Sequence, residues 1–210
     1  MKFREAVVVD QSASFVLHFM MNRLEELVPL LPNVTRADKE RQEELSDGRL
    51  RTIRRWEAAP GVLPLALRPF ARPEWMRWMD TSDWSFDDYR EDWTLSMERM
   101  EDLYDCSGSN TFRPHPDFPE TKTLAVIEGE LQVYPERVRG IPRFLAKKLA
   151  PQVEKYVISL LVENLVGMTR ELGPFLDGME GVADMTVRPP HLLSKSAPGF
   201  FPTTERVETQ

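Results

Sequence analysis

Three histidines, a single cysteine and a dense run of carboxylates are the side chains of this sequence with the most chemistry to offer. His18, His115 and His191 lie far apart, and none has a second His or a Cys at ligand spacing, so no metal site assembles locally. His18 sits within an apolar run and reads as a packed, hydrogen-bonded histidine. Cys106 excludes an internal disulfide, argues for a reducing compartment and, with no histidine near it in the chain, reads as structural. Asp80 to Asp105 holds ten acidic residues against Arg90 and Arg99, which reads as a solvated surface in preference to an acid–base pair assembled across the fold. Phosphate-cradling glycine loops, the dinucleotide fingerprint and a G-x-S-x-G turn are absent. Without a catalytic constellation the expectation is a non-enzymatic protein that needs no metal or other cofactor.

One basic residue stands out from its surroundings. Val34 to Ala58 reads as a polar hairpin turning at Ser46-Asp47-Gly48, and its second strand puts Leu50, Thr52, Arg54 and Trp56 on one face. If Trp56 points into the core, Arg54 follows it and becomes a candidate for meeting a buried anionic group, with a carboxylate on the sheet as the simpler partner. Four of the five tryptophans then crowd into Glu74 to Ser96, where they can be core, a membrane-interface belt or the wall of an apolar pocket.

These residues must be positioned by a small set of elements. Lys2 to Asp10 reads as a strand, and the apolar run after Ser14 as one or two short helices broken by Pro29 and Pro32. Segments at Trp93 to Met97, Gly108 to Phe112 and Thr121 to Tyr134 read as further strands. The longest pattern is Ile141 to Leu172, where Leu145, Leu149, Val153, Tyr156 and Leu160 share one face and Val157, Leu161, Leu165, Met168 and Leu172 run beside it. Pro142 suits the first turn, Pro151 predicts a kink, and Gly173-Pro174 predicts the end. Residues 1–172 are expected to form one domain and 173–210 a largely disordered Pro/Gly-rich tail.

Composition bounds the classes. The 210-residue chain is 41% hydrophobic with a net charge of −7, which argues against a nucleic-acid binder. It has no apolar run of membrane-spanning length and no signal-peptide anatomy, so a cytoplasmic protein, or one peripheral at a membrane, is expected. Arg137 to Lys155 is strongly basic, and Arg139, Arg143, Lys147 and Lys148 are candidates for a transient contact with an anionic membrane surface.

The order strand, helices, about six antiparallel strands, then one long amphipathic helix resembles the helix-grip fold of the START-like (SRPBCC) superfamily. That resemblance implies an α+β fold in which a curved antiparallel sheet of six or seven strands wraps around the C-terminal helix and leaves an apolar cavity. Local similarity to PRELI/MSF1-type lipid carriers is carried by the first strand and helix, the Asp47-Gly-Arg-Leu50 turn, Trp56 followed by Leu63-Pro64, and the block from Phe112 to Thr121. It implies a lid formed by Leu63, Leu65, Leu67 and Phe70, and basic residues meeting a head group. The ligand-binding candidates are Arg54, Trp56, Trp84, Trp93, Phe112, Leu149, Val153, Tyr156 and Leu160. The leading expectation is binding or transfer of a hydrophobic ligand, a phospholipid or other lipid. The alternatives are an aromatase/cyclase-like enzyme acting on a polyketide-type substrate in the same cavity, and an interaction domain whose grip is filled by its own side chains and whose protein partner is unknown. The enzyme needs a buried carboxylate, tyrosine or histidine with a shifted pKa.

Overall fold

The computed structural model describes residues 1–62, 76–97, 102–134, 137 and 143–177, the last stretch as backbone only at 143–147, 149 and 177. Contacts gather Met1–Glu180 into one unit; Gly181–Gln210 form a second, which lies outside the described residues. Seven antiparallel strands make one sheet: β1 (Lys2–Val9), β2 (Val34–Glu44), β3 (Leu50–Ala58), β4 (Arg77–Ser85), β5 (Arg90–Ser96), β6 (Tyr104–Pro114) and β7 (Thr123–Val133), in the order β1-β7-β6-β5-β4-β3-β2. Each consecutive pair from β2 to β7 is a hairpin or its longer equivalent, and β1 closes against the last strand, so the two outer strands are the first two in the chain. The expected turn between β2 and β3 is present, with Gly48 at φ 82°, a backbone conformation that favours glycine.

Between β1 and β2 the chain leaves the sheet as helix α1 (Ala13–Arg23) and a 3-10 helix (Leu24–Leu30). Ser12 caps α1 by accepting from Phe15 N at 3.4 Å. Val16, Leu17, Phe19, Met20 and Met21 are all buried, a wider band than one stripe, because α1 is covered by the sheet on one side and by the end of the terminal helix on another; the Phe19 and Phe175 rings meet edge to face at 6.1 Å. His18 is half-buried on this helix and packs its ring against Phe86 at 4.9 Å.

Helix α2 runs from Arg143 to Asp177, which corrects the expected stop at Gly173-Pro174. Pro151 and Pro174 both lie inside it. The tail expected to begin after Leu172 therefore starts helical: Leu172 and Leu176 are buried against the α1 side of the sheet, and their burial outweighs the local helix-breaking signal. Burial is uneven along α2. Met168, Thr169, Leu172 and Leu176 are buried, whereas Val153, Tyr156, Val157, Leu160 and Leu161 are half-buried.

The strand register sorts the sheet into two faces. Thr52 opposes Ser82, which opposes Trp93, which opposes Gly108, which opposes Gly129, which opposes Phe3. Trp93 lies flat across the two glycines and stacks on Phe3, with ring centroids 6.4 Å apart and planes 24° apart. The glycines are required by this arrangement: a Cβ at Gly129 would stand 2.8 Å from the indole and 2.9 Å from the Phe3 ring, and one at Gly108 would overlap the indole and the Glu128 carbonyl.

Candidate functional site

The inward face of β3, β4, β5 and β6 carries a polar network in the middle of the core. On β3, Arg54 is fully buried. Its Nε donates to Glu25 Oε1 at 2.7 Å, one terminal nitrogen to Thr52 Oγ1 at 2.9 Å, and the other to the carbonyl of Met20 at 3.1 Å and to that of Met21. The guanidinium therefore terminates α1, satisfying carbonyls left without helical partners, while its charge is met by a carboxylate on the 3-10 helix. Arg54 does meet a carboxylate, but on the helical layer and not on the sheet.

Beside it on β4 and β5 are two buried carboxyls, Asp80 at 8% exposure and Glu91 at 4%. Ser82 Oγ stands between them, 2.9 Å from Asp80 Oδ1 and 2.8 Å from Glu91 Oε1. A hydroxyl has one proton, so it donates to only one of the two, and the other contact is satisfied when that carboxyl is protonated and donates to Oγ. The far side of Glu91 is fixed as well. Trp93 Nε1 can only donate, and it points at Asn110 Oδ1 at 3.3 Å, so the amide turns its Nδ2 to Glu91 Oε2 at 2.7 Å. Burial, and then the negative charge of Asp80, raise Glu91 from the ordinary 4.5 to about 7, against the pull of Ser82, Asn110 and Arg54. Asp80 is also held above the ordinary range by burial, opposed chiefly by the charge of Arg54. One proton held between the two carboxyls satisfies both contacts of Ser82.

The expected binding residues divide around this network. Trp84 and Phe112 are fully buried, and Trp84 Nε1 donates to Thr52 Oγ1 at 2.9 Å. Trp93 holds the Asn110 amide as described. Trp56 stacks almost parallel on Trp78, with centroids 6.1 Å apart, at the end of the row beyond Arg54 and Asp80. On α2, Val153, Tyr156 and Leu160 are half-buried, and the Tyr156 hydroxyl donates to the Val62 carbonyl, tying the start of the 63–75 connection to the helix. Around this end of the sheet Leu95, Tyr104, Val133, Val157 and Leu161 are apolar or aromatic and only partly buried. Leu63, Leu65, Leu67 and Phe70, the expected lid, lie outside the described residues, as do Arg139 and the side chains of Arg143, Lys147 and Leu149. Lys148 is exposed.

One sequence reading of these side chains is corrected. The carboxylates from Asp80 to Asp105 are not uniformly solvated, because Asp80 and Glu91 point inward. The signal was present in the two-residue period: Trp78, Asp80, Ser82 and Trp84 share a face of β4, and Glu91, Trp93 and Leu95 share the same face of β5, so burying the tryptophans buries the acids. Cys106 is indeed buried, and burial pushes its thiol up to about 12, the opposite of a reactive thiolate. A groove of about 850 Å³ lies on the opposite face of the sheet, where Arg51 with Asp83, Arg90 with Asp92, Arg4 with Glu128 and Lys2 with Glu130 neutralise one another. Among the described residues no group of His, Cys, Asp and Glu is placed to hold a metal ion, and no helix is long and apolar enough to cross a membrane.

No protein-family model matches the sequence, and no curated protein matches it. In fold the chain is similar to a protein from Thermus thermophilus, with a TM-score of 0.56 and 19% identity over 80% of this chain and 94% of the other. It is also similar to the Zhui aromatase/cyclase from a Streptomyces species, with a TM-score of 0.52 and 13% identity over 80% and 87%. A START superfamily protein from Mycobacterium smegmatis is matched more loosely, at a TM-score of 0.40 and 13% identity over 76% and 93%. The seven-stranded antiparallel sheet with its C-terminal helix is the helix-grip fold, as the sequence resemblance implied; the expected likeness to PRELI/MSF1-type carriers is not shown by these comparisons. The expectation of a non-enzymatic protein is corrected: the fold is shared with an aromatase/cyclase, so the fold does not set the chain apart from enzymes, and two buried carboxyls absent from any linear motif meet in three dimensions.

Proposed function

We propose that the protein takes a hydrophobic, carbonyl-bearing small molecule between the sheet and α2 and moves a proton on it, with Asp80 as the acid–base group. The observation that carries this reading is the single hydroxyl of Ser82 held between two buried carboxyls, of which Glu91 sits at about 7. A general acid or base works best with a pKa close to the working pH, and burial with a like charge is how a carboxyl is brought there. Asp80 is the member nearer the partly buried apolar end of the sheet, whereas Glu91 is sealed behind Trp84 and Asn110.

The network lets Asp80 serve both directions. With the shared proton on Glu91, Asp80 is a carboxylate and accepts a proton from carbon next to the ligand carbonyl, leaving an enol or enolate. From the same starting state, passage of the Ser82 proton to Asp80 and of the Glu91 proton to Ser82 makes Asp80 the acid and leaves Glu91 charged. Ring closure and dehydration of the aromatase/cyclase type, on a polyketide-like substrate, belong to this class of reaction. Arg54, already held by Glu25, Thr52 and two carbonyls, favours a neutral oxygen-bearing ligand over an anionic head group.

The test is exchange of the α-protons of 1-tetralone in heavy water, followed by NMR. Exchange is expected to exceed the buffer rate by about 10²-fold or more, to decline only where the pH is low enough to protonate Asp80 as well as Glu91, and to be lost in D80N. Tetralone that binds without exchanging faster than in buffer would refute the reading.

A further inference from the structure

We infer that Trp56 is the anchor for the ligand's oxygen: its indole N–H donates to the carbonyl that Asp80 acts beside. The inference rests on the reading of a hydrophobic carbonyl ligand between sheet and helix, and it deepens that reading by naming what selects the ligand.

Trp56 is 4% exposed, and its Nε1 is a buried donor with no hydrogen-bond partner among the described residues. That is uncommon, because leaving a buried donor unpaired costs about 1–3 kcal/mol. The other two buried indoles of the network show what the same sheet does when the donor is structural. Trp84 donates to Thr52 and Trp93 to Asn110, each through a side chain placed for it on a neighbouring strand. Trp56 has only the Asp80 carboxyl beside its N–H, without the geometry of a formed hydrogen bond.

Its position tells where the donor is aimed. Trp56 follows Arg54 on the inward face of β3, opposite Trp78, and Arg54 opposes Asp80, so the indole and the Asp80 carboxyl are diagonal neighbours on one face. The N–H is near enough to the carboxyl to favour its charged form, yet it does not reach it as a hydrogen bond. An oxygen atom between them accepts from Trp56 on one side and is flanked by the proton-transfer group on the other. The indole itself cannot turn away, because its ring lies parallel to Trp78, 4° between planes. This stack also offers a flat wall, so the arrangement selects planar ring systems with a carbonyl at one edge over plain hydrocarbons. In the enolate the oxygen gains negative charge, and a donor already aimed at it holds that charge without reorganisation.

Two probes separate the donor from the apolar surface: 1-tetralone, which carries the carbonyl, and tetralin, which lacks it. In ¹⁵N-labelled protein the indole signal of Trp56, identified by its loss in W56F, is expected to move downfield on addition of tetralone and to stay within the shifts of the other indoles on addition of tetralin. W56F keeps an aromatic ring and most of its stacking area, so tetralone should bind it about five- to tenfold more weakly, the worth of one net hydrogen bond, and tetralin equally well. Should W56F fail to fold, the Trp56 indole signal is assigned in the wild type by triple-resonance spectra and its titration decides alone. Tetralone binding that shifts other signals but not Trp56 overturns the anchor while leaving the hydrophobic site intact. A Trp56 shift without proton exchange in heavy water upholds the anchor and sinks the proposed chemistry. Binding of neither probe overturns both.

Discussion

Replacing Glu91 by glutamine should stabilise the protein at pH 8 and leave it unchanged at acidic pH. In the folded chain burial and Asp80 lift the Glu91 carboxyl from 4.5 to about 7. A group whose pKa is raised by folding contributes its full stability below the unfolded value and loses it as pH rises through the folded one. The window is therefore pH 4.5 to about 7. At about 1.4 kcal/mol per pH unit, the loss across it amounts to about 3 kcal/mol. Glutamine imitates the protonated acid: its carbonyl takes the bond from Asn110 Nδ2, its amide donates to Ser82 Oγ, and Ser82 is freed to donate to Asp80. The assay is urea unfolding of wild type and E91Q from pH 4.5 to 8.5. Groups that do not touch Glu91 are common to both proteins, so the difference between the curves reports Glu91 together with its coupling to Asp80. A wild type whose stability relative to E91Q does not fall between pH 5 and 7, or rises, would show that Glu91 is ionised at its usual pKa and that the shared-proton arrangement is wrong.

Three further outcomes follow from the same contacts. R54M strands Glu25 and the carbonyls of Met20 and Met21 without their donor and should cost about 3–5 kcal/mol in urea unfolding, with loss of helical signal from α1. G108A forces a methyl into the Trp93 indole and the Glu128 carbonyl; it should cost about 1–3 kcal/mol and shift the tryptophan emission, while an alanine at the open Gly167 should not. Cys106 should resist a thiol reagent at pH 8 in the folded protein and react fully in denaturant, since burial both covers it and pushes its thiol up to about 12.

Much of the framework was legible because alternation and helical spacing are written into the apolar residues. The Ser46-Asp47-Gly48 turn, the inward face of Leu50, Thr52, Arg54 and Trp56, and the long terminal helix all follow from period and turn chemistry. The misreadings share a cause, which is that local composition was weighed where tertiary burial decides. Gly173-Pro174 is a strong stop for an isolated helix, but Leu172 and Leu176 gain more from the core than the breaker costs. Asp80 and Glu91 belong to an acidic stretch, and reading that stretch by its charge hid its period. Arg54 was traced to the correct face because a tryptophan shares it; the same reasoning applied to Trp84 and Trp93 on β4 and β5 leads to the carboxyls. No sequence signal places Glu25 beside Arg54, since 29 residues and a change of layer separate them.

The uneven burial of α2 makes the helix a cantilever. Its far half is clamped where Met168, Leu172 and Leu176 are buried, and the half that faces the Trp56 end of the sheet rests on side chains that are only half covered. From Ile158 back to Arg143 the helix extends about 22 Å, at about 1.5 Å per residue, so tilting this arm by about 5° would carry its first turn about 2 Å sideways. Pro151 lies along that arm and removes one of the backbone bonds that would stiffen it. A small angle at the clamp thus becomes a displacement of atomic size at the tip, with no strand leaving the sheet and no hydrogen bond of the carboxyl network broken.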